Sequence, residues 1–240
     1  MHPEELKLIR QIVPNGRNDL FFVGDAHQRI YGQPVIFSHC DIQIRGRARK
    51  LRINYRTTEE IRDWSMIVLK ESLIDDLEGG LDEHLGYRSL MHGVPPIIEH
   101  FGNLEEEIDF LVNSILDIQK KGPIETICLV ARTHNQLEND YIPALSEANI
   151  GYLYLKAETP EHVGTGVRLA TMHRVKGMEF PNVIIAGVND GILPFEHSEI
   201  DESHQSDVDQ RERCLLHVAS SRARDMLFVT SYGKPSRFLV

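Results

Sequence analysis

Cysteine is scarce in this chain. Cys40, Cys128 and Cys214 are odd in number, widely spaced and without a CxxC pair, which excludes a disulfide framework and points to a reducing compartment. Long apolar runs are missing too: none approaches the ~18–20 residues that a membrane-spanning helix needs. The opening MHPEELKLIRQIV carries acid where a secretory leader carries a basic region, so no membrane partner and no export signal are expected. Metal-ligand spacing is equally lacking. The twelve histidines are scattered, and His39-Cys40, the nearest thing to a pair, reads as packing rather than zinc binding, so no metal site is expected. A global excess of positive charge is absent: the formal net charge of −10 argues against a surface that coats nucleic acid indiscriminately. Internal repeats and low-complexity tracts are absent as well.

What is present is a soluble, globular composition, 41% apolar and 26% charged over 240 residues. That length suits one large α/β unit, or one full domain with part of another. The positive charge is concentrated: RGRARKLRINYR, residues 45–56, holds six cations in twelve positions. Such a run either lines a basic groove or guards a sheet edge. The acid lies elsewhere, with clusters at Glu105–Glu107 and between Glu196 and Glu212.

Periodicity supplies the elements. Leu6, Ile9 and Val13 have helical spacing, and Leu20–Val23 and Leu51–Ile53 read as short strands. Thr57 with Glu60 reads as a capping box for a helix burying Ile61, Trp64, Val68 and Leu69. Residues 75–96 read as irregular. Ile97–Phe101 reads as a strand, and Asn103 with Glu106 caps a helix whose inner face is Ile108, Leu111, Val112, Ile115 and Ile118. Glu105–Glu107 fits the acid-rich first turn of that helix. Strands at Thr126–Ala131, Tyr152–Leu155, Val167–Ala170, Val183–Val188 and Met226–Thr230 follow. A helix through Leu137, Tyr141 and Leu145 lies among them, and another spans Arg211–Ala223. Glu196–Asp209, polar and acidic, reads as a mobile surface loop. Strand and helix alternate from residue 97 onward, which predicts an α/β fold with a parallel sheet covered by helices on both faces.

The most informative stretch is GVRLATMHRVKGMEFPNVIIAGVNDGILP, Gly166–Pro194. Between its two apolar runs lie Thr171, His173, Arg174, Lys176, Gly177 and Glu179, a set that suits a site better than a core. Other polar clusters follow apolar segments at 24–31, 54–56 and 132–134, with Ser220-Ser221-Arg222 near the last helix end. Ligand chemistry in open α/β sheets gathers at one edge, so these clusters are expected along one rim. Arg56 and Arg222 suit polyphosphate. Gln28 could orient a water or sense a terminal phosphate. Thr171, His173 and Lys176 suit a phosphodiester backbone, and Glu179 could accept from a sugar hydroxyl. Taken singly, each of these residues is better read as a surface ion pair or a cap; the weight lies in their joint order and spacing.

In that order the clusters are recognisable. GDAHQRIY (24–31) resembles motif III of superfamily 1 helicases of the UvrD/Rep type, and NYRT (54–57) resembles motif IV. TMHRVKGMEF (171–180) with GILP (191–194) is similar to motif V, and ERCLLHVASSRAR (212–224) to motif VI. The resemblance implies the C-terminal part of an ATP-driven, 3′–5′ single-stranded DNA translocase with a RecA-like fold of the P-loop NTPase type. It places the tail of a first RecA-like domain in residues 1–50 and a second in 51–240. It assigns Gln28 to γ-phosphate coupling, Tyr55 to adenine stacking, Arg56 and Arg222 to arginine fingers and Glu179 to the nucleotide sugar. The DNA track it implies is Tyr31, Arg132, His134, Thr171, His173 and Lys176. ATP, Mg²⁺, single-stranded DNA and an N-terminal RecA-like domain are the implied cofactors and partners, in a bacterial, cytoplasmic and nucleoid-associated setting.

The sequence departs from that pattern in four places. Neither GxxxxGK[ST] nor a DExx pair is present, so this chain alone is expected not to hydrolyse ATP. Gln33-Pro34 stands where the family usually has a stacking Trp followed by Arg. Only about ten residues separate Leu155 from Val167, too few for a large accessory domain. Ser221 replaces the usual Thr. Two other readings remain: a non-catalytic RecA-like module that regulates by binding DNA or protein, and a nucleotide-binding α/β domain without DNA.

Overall fold

Six strands, β3 to β8, line up as one parallel sheet in the order β3-β8-β7-β4-β6-β5. They are β3 (Ile97–Phe101), β4 (Ile127–Ala131), β5 (Tyr152–Tyr154), β6 (Val167–Thr171), β7 (Phe180–Ile185) and β8 (Ala223–Tyr232). The computed structural model describes residues 1–31, 35–70, 80, 86–156, 159, 164–195 and 202–239, with 202–204 by backbone alone. Central strands of a parallel sheet are buried on both faces, and β4 and β6 are buried at every position.

Alternation along those strands builds two cores. Cys128, Val130, Ala170, Val183, Ile185 and Val229 face a layer made of α2 (Glu59–Ile67) and α6 (Glu202–Ser220). Ile127, Leu129, Ala131, Leu169, Ile184 and Phe228 face α3 (Leu104–Gln119) and α5 (Ile142–Glu147). Between β4 and α5 the chain runs through a single turn, α4 (His134–Gln136), and a π turn at Leu137–Tyr141. Asn103 caps α3, its Oδ1 accepting from the Glu106 N–H at 3.0 Å. The fold is therefore α/β, a parallel sheet with helices on both faces. A two-stranded parallel sheet, β1 (Ile53–Thr58) with β2 (Arg88–Met91), lies against β8. The helix α1 (Pro3–Ile12) contributes Leu6 to a third, small cluster with Val35, Cys40 and Ile42.

Several local expectations are corrected. Leu20–Val23 is not a strand; Phe21 and Val23 are 90% and 81% exposed, and among the described residues no strand pairs with the segment. The strand read at Leu51–Ile53 begins at Ile53 and runs to Thr58, so Asn54, Tyr55 and Arg56 lie within it rather than after it. The α2 cap is Thr58, whose Oγ1 accepts from Ile61, one residue past Thr57. The stretch read as irregular contains β2, held in part by a Glu59 carboxylate that accepts from the Ser89 N–H. The last helix begins at Glu202 rather than Arg211, so much of the expected acidic loop is helical. Gln33-Pro34 lies outside the described residues.

Glu107 has a structural role beyond the expected first turn. It does fall in the first turn of α3, yet it is fully buried. Its carboxylate accepts from the Tyr141 hydroxyl at 2.9 Å and from the Gly187 N–H at 3.0 Å. The Gly187 carbonyl in turn accepts from Gln136 Nε2 at 3.0 Å, and Gln136 Oε1 accepts from the N–H groups of Arg132 and Thr133 at 3.1 and 3.2 Å. Burial pushes the Glu107 pKa up, partly opposed by the hydrogen bonds from Gly187 and Tyr141. A buried polar chain thus fixes the loop after β4 to the loop after β7.

Candidate nucleic-acid and nucleotide interface

The C-terminal edge of the sheet carries the first group of candidates. Ala131 pairs with Thr171, and Tyr154 with Leu169, so β4, β6 and β5 release their following segments at about the same level. Thr171 itself is buried, and its Oγ1 accepts from the Arg174 N–H at 3.3 Å. It therefore caps a turn. His173 projects beyond it, half-buried, its pKa lowered by burial and then by the charge of Arg132. The Tyr31 ring lies 5.6 Å from that of His173, and Lys176 Nζ stands 5.4 Å over the same Tyr31 ring while donating to the Gln28 carbonyl at 3.0 Å. On the neighbouring strand ends, His134 meets the Tyr154 hydroxyl.

Arg132 is placed differently from expectation. Its Nε and Nη2 donate to both oxygens of Glu212 at 2.8 and 2.7 Å, and the two side chains are only 14% and 11% exposed. Glu212 Oε2 also accepts from the Phe195 N–H at 3.3 Å, and the Arg132 guanidinium stands 5.5 Å over the Phe195 ring. In this arrangement the guanidinium is held against α6 and braces the edge from beneath.

The segment from His173 to Glu179 crosses the sheet without a helix. It leaves β6 at the C-terminal edge and enters β7 at the N-terminal edge, with Met172, Val175 and Met178 buried beneath it on the α6 side. Glu179 consequently sits at the edge opposite His173. Arg222, which precedes β8, lies on the same side as Glu179. The polar clusters therefore divide between the two edges of the sheet, instead of gathering along one rim, because a parallel crossover must return to the other edge before the next strand begins.

At the N-terminal edge Arg56 Nε pairs with Glu179 at 2.9 Å, both side chains half exposed. Arg222 is buried. It donates to the Val218 carbonyl at 2.9 Å, the Met178 carbonyl at 3.4 Å and Ser221 Oγ at 3.0 Å. Burial, followed by the charge of Arg56, pulls its pKa down to about 10. Among the described residues none of these bonds reaches a carboxylate. Ser221 keeps its hydroxyl on the guanidinium it precedes. Tyr55 is exposed on β1.

The segment with Gln28 docks between these edges. Asp25 caps a short 3₁₀ turn at Ala26–Gln28, accepting from the His27 N–H at 2.9 Å and from Gln28 Nε2 at 2.9 Å. Burial would raise the Asp25 pKa, but the hydrogen bond and charge of His27 outweigh it and hold it at about 2. Ile30 packs in the same core as Ile61 and Cys214. The His27 ring lies 6.1 Å from that of His217, whose Nδ1 donates to the Ser65 carbonyl at 2.9 Å.

Burial pulls the His217 pKa down to about 4, against a raising effect from Ser65. A histidine depressed in the fold binds its proton more readily when unfolded. Stability contributed by neutral His217 is present above pH ~6.5 and is lost as pH falls toward about 4. Denaturant midpoints measured from pH 7 to 4 are therefore expected to fall, and to fall less in His217→Gln; equal slopes in both would contradict this.

Residues 154–234 match the model of the UvrD-like helicase C-terminal domain. The ATP-dependent DNA helicase PcrA of Staphylococcus aureus (strain Mu50) is 27% identical over 211 residues, covering 81% of this chain and 26% of that protein. PcrA of Staphylococcus epidermidis (strain ATCC 12228) is 29% identical over 199 residues, covering 76% of this chain and 25% of that protein. The chain thus spans about a quarter of the length of the curated relatives it matches. A solved structure of the C-terminal domain of a possible DNA helicase from Lactobacillus (strain WCFS1) shares the fold. Its TM-score is 0.56 at 21% identity, over 78% of this chain and 92% of that one.

The predicted residues fall into groups. Tyr31, His173 and Lys176 are in mutual contact, with His134 at a neighbouring strand end. Arg56 and Glu179 are paired, and their charges reach Arg222. Gln28 touches Lys176 through its carbonyl. Thr171 and Arg132 hold structure. Glu212, Gln136 and Glu107, which support the edge, were not singled out from the sequence. Two of them carried a signal: Glu212 shares a helical stripe with Leu215, Leu216 and Ala219, and Glu107 with Leu111, Ile115 and Ile118.

Proposed function

We propose that this chain is the C-terminal motor part of an ATP-dependent 3′–5′ DNA helicase or translocase, supplying single-stranded DNA contacts and arginine fingers to an N-terminal RecA-like domain. The observation that carries the reading is the 171–179 connector. One uninterrupted segment presents His173 and Lys176 at one edge of the sheet and Glu179 at the other. Residues 1–50 would be the tail of the first RecA-like domain and 51–240 the second. The separate cluster of Leu6, Val35, Cys40 and Ile42 supports that division.

The residues at the N-terminal edge fit a nucleoside triphosphate. A buried guanidinium bonded to backbone carbonyls and a hydroxyl retains a charge that a phosphate would neutralise. Arg222 and Arg56 would stabilise negative charge on the transferring group, Arg56 by leaving Glu179, which would be freed to accept from the sugar. Exposed Tyr55 would cover the base, and Gln28 would report the phosphate to Lys176 through the contact they share. ATP supplies the free energy when bound. Mg²⁺ would be held with the triphosphate by the N-terminal partner domain.

The purified chain alone is expected to show no DNA-stimulated ATP hydrolysis, measured by phosphate release; turnover would sink the reading. It is expected to bind oligo-dT with an affinity that falls steeply with salt. His173→Ala and Lys176→Ala should each weaken that binding, and insensitivity to both would remove the C-terminal edge as the DNA track. The family model at 154–234 and the PcrA relatives support a bacterial, cytoplasmic setting.

A further inference from the structure

The C-terminal edge carries two similar clusters, of which the reading above uses only one in full. The first is Tyr31, His173 and Lys176, with ring centroids 5.6 Å apart and the ammonium 5.4 Å over the tyrosine. The second is Tyr154, His134 and Lys156, with ring centroids 5.9 Å apart and the ammonium 5.0 Å over the tyrosine. Each combines one tyrosine, one histidine beside it and one lysine over its face. The first lies on the α6 side of the sheet edge, beside buried Met172 and Val175; the second lies on the α5 side, where Tyr154 packs partly into the other core.

We propose that Tyr154 and Lys156, with His134, form a second nucleotide subsite for single-stranded nucleic acid, next to that of Tyr31, His173 and Lys176. A base stacks on the Tyr154 ring and its phosphate pairs with Lys156. The chemistry is that of sequence-tolerant single-strand binding, in which aromatic faces take bases and nearby cations take the backbone. An ammonium over a ring marks a face open to a cation or a base rather than one closed by packing.

The site is built, not accidental. Just past the end of β5, the Lys156 N–H donates to Thr159 Oγ1 at 3.2 Å. Arg174, from the connector, donates to the carbonyls of Lys156 and Thr159 at 3.1 and 3.3 Å. The connector that carries His173 and Lys176 therefore also holds the backbone at Lys156, fixing the two clusters relative to each other. Burial, and then the charge of Glu138, raise the Tyr154 pKa. That negative charge disfavours a phosphate at the hydroxyl end and leaves the ring for a base. A strand crossing the edge from the α6 side to the α5 side would meet Tyr31, His173 and Tyr154 in succession.

This inference rests on the single-stranded DNA reading, and one experiment separates the two. Fluorescence anisotropy of labelled oligo-dT is measured across a salt series for the unmodified chain, Tyr154→Leu, Tyr154→Phe, Lys156→Ala and Lys176→Ala, each checked for folding by thermal melt. Tyr154→Leu is expected to weaken binding by about fivefold or more, and Tyr154→Phe to restore most of it. Lys156→Ala should reduce the slope of log affinity against log salt by about 0.7, the loss of one phosphate contact on a single strand. Should Tyr154→Leu fail to fold, exposed Lys156 decides the matter alone. Unchanged affinity and slope in the Tyr154 and Lys156 variants, with Lys176→Ala weakened, would overturn the second subsite and leave the reading intact. An unmodified chain without salt-dependent binding would overturn both.

Discussion

Glu212→Ala is expected to destabilise the chain by about 3 kcal/mol, because it leaves the Arg132 guanidinium buried without its partner. In a domain of this size that is a fall in melting temperature of roughly 6–12 °C. Arg132→Ala should cost a similar amount, since it strands Glu212, which also holds the Phe195 N–H. The double variant should cost clearly less than the sum of the two, as each single change already removes the same pair. Urea midpoints for the four proteins test this, and strict additivity would show the pair to be uncoupled. The result bears on any binding experiment. A loss of DNA affinity in Arg132→Ala would report a damaged edge, whereas the His173 and Lys156 side chains make ring contacts rather than a buried ion pair.

Gly166→Ala should be at least as damaging, with a loss of roughly 3 kcal/mol or more. Gly166 has φ of +107°, in the region that side chains avoid. A Cβ there would stand 2.5 Å from the carbonyl carbon and oxygen of Gly151 and 2.6 Å from the Tyr152 N. Those are backbone atoms of the adjoining strand, so nothing flexible can move aside. The Val167 N–H donates to the Gly151 carbonyl at 2.8 Å, and this close approach is how β5 and β6 come into register. Thermal melts and oligo-dT binding should fall together, because β5 carries Tyr154. A stable Gly166→Ala variant that binds normally would mean that the two strands can separate without consequence.

Much of this was legible in the chain itself. The strands β3, β4, β6, β7 and β8 announce themselves as short apolar runs between helical patterns, and Asn103 caps α3 where its position before Glu106 predicts. The residue types for two chemistries, phosphate and single-stranded nucleic acid, stand in the connector in plain order. Local errors came where a neighbour decides the outcome. Leu20–Val23 has the composition of a strand, but a strand exists only when another lies beside it to take its hydrogen bonds. Tyr55 and Arg56 were placed after a strand whose register was set by β2, and β2 was hidden in a stretch that reads as irregular.

The sequence by itself determined the α/β class, the parallel sheet and the inventory of polar groups, because periodicity and residue chemistry are local properties. Tertiary structure decided which of those groups are free to act. It buried Arg132 against Glu212 and turned Glu107 from a first-turn acid into the centre of a hydrogen-bonded chain. It divided one polar connector between two edges of a sheet, and brought Tyr154 and Lys156 beside His134. Each of these depends on what lies opposite a side chain across distances that spacing along the chain does not encode: a carboxylate and a guanidinium eighty residues apart become one buried pair only when a helix and a strand end meet.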